Sequence, residues 1–91
     1  MKPLEPAQCP LCGAVAQRYE LPMGNGYSYQ CAACGNGVFE VGTGALARIE
    51  RDGVHPDLRP AVRRWLQEGR RPRIELNGGK LSLHCVPAAG D

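Results

Sequence analysis

Aromatic side chains are scarce in this sequence: one Trp, one Phe and three Tyr make up 5% of the chain. A chain of 91 residues buries only about 60–65% of the surface that it exposes when unfolded, so its hydrophobic core is marginal. A structural metal ion is a common way to support such a core. The composition therefore predicts a small domain that needs support beyond apolar packing.

Long apolar runs and a strong charge imbalance are also absent. No stretch approaches the roughly 20 apolar residues that span a bilayer, and the first residues lack the apolar segment of a signal peptide. We therefore expect a cytoplasmic protein with no membrane partner, in which reducing conditions keep thiols free. The net charge of +2 is weaker than that of a dedicated nucleic-acid-binding domain.

Catalytic motifs are missing as well. The sequence has no recognisable nucleophile triad, paired-carboxylate pattern or phosphate-binding loop, and Gly42-Thr43-Gly44 is too short to be a nucleotide fingerprint. We therefore expect no enzymatic activity and no small-molecule substrate.

Four of the five cysteines form two CxxCG motifs, which we call the first knuckle (residues 9–13) and the second knuckle (residues 31–35). Two intervening residues allow a tight turn that brings both sulfurs to about 2.3 Å from one metal ion. The glycine that follows allows a positive φ, so that backbone N–H groups can point at the sulfurs. The sequence predicts one structural Zn²⁺ bound by Cys9, Cys12, Cys31 and Cys34.

Other interpretations of these cysteines remain open. Iron in a rubredoxin-like site shares the ligand geometry, although such domains pack several aromatics around the metal. A thioredoxin-like redox pair requires one CxxC at the start of a helix in a βαβ unit. Disulfides require export, and an odd number of cysteines leaves one unpaired. Because all four zinc positions are filled by protein, a zinc ion here has no open position for a catalytic water.

Residues 9–43 resemble a zinc ribbon, as found in many small bacterial proteins and in transcription and translation factors. Residues 29–35, followed by residues 38–41 and a predicted helix, also resemble the N-terminal ribbon of bacterial proteins. The second knuckle departs from the common pattern in lacking a proline after its first cysteine. The likeness covers under half of the chain and implies a fold and a metal, but no partner.

The predicted fold is small, α+β and metal-bound: a three-stranded zinc ribbon in residues 1–45, with residues 46–91 packed on it as one or two short helices and a C-terminal β-hairpin. The predicted ribbon strands are residues 15–21, 27–30 and 38–41. In the first strand, the alternation places Val15, Tyr19 and Leu21 on one face.

The second segment contains two predicted helices. Thr43 is a candidate N-cap for a helix that ends before Gly53. Asp57 is a candidate N-cap for a second helix, with an apolar face centred on Trp65. We expect the domain to pack around Trp65.

The hairpin register follows from the apolar pattern of residues 73–86. A Gly78-Gly79 loop places Leu76 opposite Leu81 and Ile74 opposite Leu83, which collects the large apolar side chains on one face. This register also places Cys85 on that face, so we expect it to be buried as a small apolar side chain. His84 then lies on the polar face.

Residues 46–91 carry nine Lys and Arg against six Asp and Glu. Such a surface can contact nucleic-acid phosphates, bind an acidic protein surface, or simply be solvated. Our first hypothesis is a zinc-stabilised binding module that binds nucleic acid or acts as a regulator through this basic surface. The alternative is a protein–protein adaptor without nucleic-acid contact. The candidate partner-binding residues are Arg59, Arg63, Arg64, Arg70, Arg71, Arg73 and Lys80.

Overall fold

The computed structural model describes residues 3–35 and 37–86. These residues form six strands and two α-helices, so the coarse prediction of a small α+β fold is confirmed. The strands are β1 (Glu5–Gln8), β2 (Val15–Glu20), β3 (Tyr27–Gln30), β4 (Val38–Val41), β5 (Pro72–Asn77) and β6 (Lys80–Cys85), and the helices are α1 (Thr43–Asp52) and α2 (Leu58–Gln67).

All six strands form one sheet in the order β1-β2-β3-β4-β5-β6. Neighbouring strands are antiparallel except β4 and β5, which pair in parallel through Glu40↔Arg73 and Val41↔Ile74. A parallel pair needs a long crossover, and the two helices supply it. The sheet therefore joins strands from both predicted segments.

Both helices pack on the face of the sheet that carries Phe39, Val41 and Ile74, which are fully buried together with Val62 of α2. The ring of Phe39 stacks on that of Tyr29, with centroids 5.6 Å apart. Trp65 is only partly buried and lies outside this core, so the prediction of a core around Trp65 is wrong. The guanidinium of Arg70 lies 5.4 Å from its ring centre instead.

The helix ends agree in part with the sequence analysis. Gly53 ends α1, with φ of 84° and its N–H bonded to the carbonyl of Ile49. The residue that precedes α1 is Gly42, whereas Thr43 lies in the first turn and donates its hydroxyl proton to the carbonyl of Gly24 at 2.6 Å. Asp57 does precede α2, but its side chain makes no capping hydrogen bond.

Strand β2 turns Ala16 to the core, on the face opposite to that of Val15 and Tyr19. Val15 is 86% exposed, whereas its neighbour Ala16 is 5% exposed and belongs to the core. Ala16 belongs to the same buried cluster as Leu46 and Ile49 of α1 and the buried knuckle cysteines. The alternation was recognised, but its larger side chains lie away from the helices.

The hairpin has the predicted register, with Ile74 opposite Leu83 and Leu76 opposite Leu81. His84 is exposed and its Nε2 lies 3.0 Å from the hydroxyl of Ser82, as expected for the polar face. Cys85 is exposed, so the prediction of a buried thiol is wrong. Its strand is an edge of the sheet, and Cys85 is the last residue of that strand.

Candidate metal centre

The two knuckles bring four cysteine sulfurs together at one end of the sheet. The first knuckle connects β1 to β2, and the second lies between β3 and β4 as a short 3₁₀ turn. The antiparallel pairing of β2 with β3 places the two turns side by side. The Sγ atoms of the four residues all lie within 4.8 Å of one another; these residues are Cys9, Cys12, Cys31 and Cys34.

The sulfur spacing fits a tetrahedral ion. The Sγ atoms of Cys9 and Cys34 are 3.8 Å apart, and those of Cys12 and Cys31 are 3.6 Å apart. Four thiolates at about 2.3 Å from a tetrahedral zinc would lie about 3.8 Å from one another. The four cysteines are therefore close enough to hold a metal ion.

The backbone of each knuckle has the geometry expected from the sequence. Gly13 and Gly35 have φ of 78° and 117°, values that other residues rarely adopt. In the first knuckle, the N–H of Leu11 donates to the sulfur of Cys9 at 3.4 Å. Such N–H···S contacts stabilise a thiolate and orient it toward a metal.

Burial and hydrogen bonding act differently on the thiols. Burial raises the pKa of Cys9 and, against the opposing hydrogen bond from Arg59, that of Cys34. Burial acts the same way on Cys12, but hydrogen bonds from the backbone of Ala14 and from neighbouring thiols outweigh it and lower its pKa. A metal must displace thiol protons at this site, since it binds thiolates.

Arg59 forms two hydrogen bonds with the second knuckle. The Nε of Arg59, in the first turn of α2, donates to the sulfur of Cys34 at 3.4 Å, and its Nη2 donates to the carbonyl of Ala33 at 2.7 Å. From the sequence, Arg59 was predicted only as a candidate partner-binding residue. Arg59 and Cys34 are 25 positions apart in the sequence, and their contact depends on how α2 packs against the sheet.

Arg18 also lies near the cysteine cluster, although it was not among the site residues predicted from the sequence. It donates to the hydroxyl of Tyr29 at 3.1 Å and lies 4.0 Å from the ring centre of Tyr27. It lines a cleft of about 620 Å³ that also includes Cys9 and Cys12. The one sequence feature that could have drawn attention to Arg18 is that no other Lys or Arg occurs between residues 3 and 45.

The basic candidates are spread over the molecule. Arg59 is at the second knuckle, whereas Lys80 is exposed next to the hairpin turn, whose Gly79 carbonyl accepts a hydrogen bond from Arg48 of α1. Arg63 and Arg64 are exposed on α2, and Arg71 is partly buried after it. The remaining two, Arg70 and Arg73, form ion pairs.

Arg73 is held by three groups. Its guanidinium pairs with Glu40 of β4 at 2.9 Å and with Glu75 of its own strand, and it donates to the carbonyl of Asn25 at 2.8 Å. Its side chain is only 21% exposed. These contacts connect the parallel strands β4 and β5.

Comparison of the chain with protein-family models, with curated proteins and with solved structures gives no match. Among the described residues, no helix combines the length and the apolar character needed to cross a bilayer.

Proposed function

We propose that this chain is a zinc-stabilised binding module in which Cys9, Cys12, Cys31 and Cys34 hold one structural zinc ion. The observation that carries the proposal is the clustering of four sulfurs from two knuckles within 4.8 Å of one another, with two of the sulfur–sulfur distances near the value expected for a tetrahedral zinc. Four protein thiolates leave no position for a reacting water, so the metal supports the fold and supplies no chemistry. Strands β2, β3 and β4 with the two knuckles also suit a zinc ribbon.

Metal analysis of the purified protein tests this proposal. We expect about one zinc per chain by elemental analysis in the wild type and in Cys85→Ser, since Cys85 lies outside the cluster. We expect Cys31→Ser to lose it. Iron at the site would give visible charge-transfer absorption, which zinc does not give. A wild-type protein that carries no metal after expression in zinc-supplemented medium would overturn the proposal.

For the partner, we propose nucleic acid bound through the exposed arginines of α2. Arg63 and Arg64 support this proposal, because both are exposed and neither forms an ion pair with another of the described residues. Arg71 follows the same helix, and Lys80 adds a separate positive charge at the hairpin. If the protein is a regulator, it would act through the partner that binds these arginines.

Salt dependence tests the nucleic-acid contact. Binding to mixed DNA and RNA in a mobility-shift assay should weaken steeply between about 50 and 200 mM salt. The double change Arg63→Ala and Arg64→Ala should weaken binding, whereas Arg51→Ala should not, because Arg51 is an exposed arginine of α1 that already pairs with Asp52. Equal binding by both variants would exclude this surface.

A protein-binding adaptor is the second candidate, supported by the sheet face that lies opposite the helices. This face carries an apolar groove of about 490 Å³ near the β1 edge. Its side chains include Leu4, Tyr19 and Val38, and Leu4 is 52% exposed. Strands β1 and β6 are also sheet edges, which can pair with an extended peptide. Partner capture that is insensitive to salt and to the α2 arginines, but lost in Tyr19→Ala, would favour the adaptor.

A further inference from the structure

Arg59 connects the metal cluster to helix α2. It is the second residue of the helix, and its two hydrogen bonds both end in the second knuckle, one on the Cys34 sulfur and one on the Ala33 carbonyl. Within residues 3–35 and 37–86, no other charged side chain is hydrogen-bonded to a sulfur of the cluster. The contact therefore singles out one ligand.

The negative charge of the metal-bound site would make the Arg59 contact stabilising. A divalent ion with four thiolates has a formal charge of about −2, since four negative ligands exceed the two positive charges of the ion. A guanidinium within hydrogen-bond distance offsets part of this excess, and hydrogen bonds with an ionised partner are about twice as strong as neutral ones. Groups that orient a ligand in this way commonly change metal affinity by about 10- to 100-fold.

Apolar packing joins the same helix to the same knuckle. Leu66, near the end of α2, lies over Gly35 and Gly37: a Cβ built on Gly37 would come 2.7 Å from Leu66 Cδ2. Between Arg59 and Leu66, Val62 is fully buried. A structural change in the second knuckle should therefore alter the position of α2, which also carries the exposed Arg63 and Arg64.

We propose that Arg59 is a positioning residue of the metal centre, which strengthens metal retention through Cys34 and couples the bound metal to the placement of helix α2. This inference rests on the proposed function, because it requires a metal at the four cysteines. It adds a regulatory consequence. Loss of the metal would free Arg59 and loosen the helix that carries the proposed partner-binding arginines.

Cobalt substitution tests the role of Arg59, since Co²⁺ reports its thiolate ligands by charge-transfer absorption. The variants are Arg59→Gln and Arg59→Lys, with Arg51→Gln as the control, an exposed arginine of α1 without a cysteine contact. We expect Arg59→Gln to release cobalt to a chelator at about 10- to 100-fold lower chelator concentration and to shift the charge-transfer band. Arg59→Lys, which keeps the charge, should be intermediate.

The spectral shift separates an effect on the sulfur from a general loss of stability, which would leave the band of the bound fraction unchanged. If Arg59→Gln does not fold, the comparison of Arg59→Lys with Arg51→Gln decides in the same way. Variants of Arg59 that match Arg51→Gln in both affinity and spectrum would overturn this inference alone. A wild-type protein that binds no cobalt or zinc would overturn the proposed function and this inference together.

A second readout follows the helix directly. In amide exchange of the intact wild-type protein, chelation should lower protection in α2 as well as in the knuckles. Protection of α2 that is unchanged after the metal is removed would contradict the coupling.

Discussion

The two ends of the sheet are held together in different ways. At the knuckle end, Cys9, Cys31 and Cys34 are among the largest fully buried side chains, so sulfur occupies positions that aliphatic or aromatic groups fill in other cores. At the hairpin end, Ile74 and Pro72 are buried, and none of the cysteines in the described residues is buried there. A core poor in aromatics can therefore be completed by clustered cysteines at one end and by ordinary apolar packing at the other.

Loss of a cysteine ligand should have the largest effect. In Cys31→Ser, we expect the knuckle end to lose its folded structure, because apparent zinc-binding free energies of about 10–16 kcal/mol exceed the stability of a small core. Far-ultraviolet circular dichroism and thermal melting would measure this. Cys85→Ser is the matched control and should melt like the wild type; equal melting of all three proteins would contradict a difference between the two ends.

Truncation at the hairpin end should have a smaller and separable effect. Ile74 is fully buried between the helices and the sheet, so Ile74→Ala should lower the free energy of unfolding by about 2–5 kcal/mol. Under folding conditions this variant should still bind one metal ion, because Ile74 is not one of the four clustered residues that could hold it. Urea denaturation followed by metal analysis checks both expectations, and loss of metal from folded Ile74→Ala would argue against separate supports.

Removal of Arg73 should weaken the connection between strands β4 and β5. Arg73→Ala leaves Glu40 and Glu75 without their shared guanidinium, and we expect a loss of about 2–3 kcal/mol in urea denaturation. Arg64→Ala removes an exposed arginine and should stay within about 0.5 kcal/mol of the wild type. Similar values for the two variants would show that the Arg73 contacts contribute little.

The smallest effect concerns the contact of α2 with the second knuckle. Gly37→Ala brings a methyl group against Leu66, which can move because it is the far end of a flexible side chain, so we expect a loss of about 1 kcal/mol. Gly53→Ala is not a suitable control, because its φ of 84° adds strain. In the Leu66→Ala background, Gly37→Ala should lower the free energy of unfolding by less than it does in the wild type, because the clashing side chain is gone. Equal losses in the two backgrounds would contradict the predicted clash.

The sequence predicted the features that depend on short spacing. The knuckle cysteines, the positive φ of Gly13 and Gly35, and the hairpin register all follow from residues within a few positions of one another. Strand β1 was missed because Glu5–Gln8 has no apolar alternation; it is a strand because β2 offers an edge to pair with.

Features set by distant contacts were not predictable in the same way. The parallel pairing of β4 with β5 depends on the path of both helices. The exposure of Val15 and Cys85 depends on which face the helices cover and on where strand β6 ends. The contact of Arg59 with Cys34 depends on the docking of α2. In each case the sequence identified the residue, and tertiary packing decided its surroundings.

Thermal melting of the wild-type protein, with and without a strong chelator under reducing conditions, tests most directly whether a bound metal supports the fold. We expect the chelator to abolish the cooperative transition or to lower its midpoint strongly, and about one equivalent of zinc per chain to restore it. Melting that is the same with and without the chelator, in a protein shown to have lost its metal, would contradict the claim that the four cysteines support the fold through a bound ion.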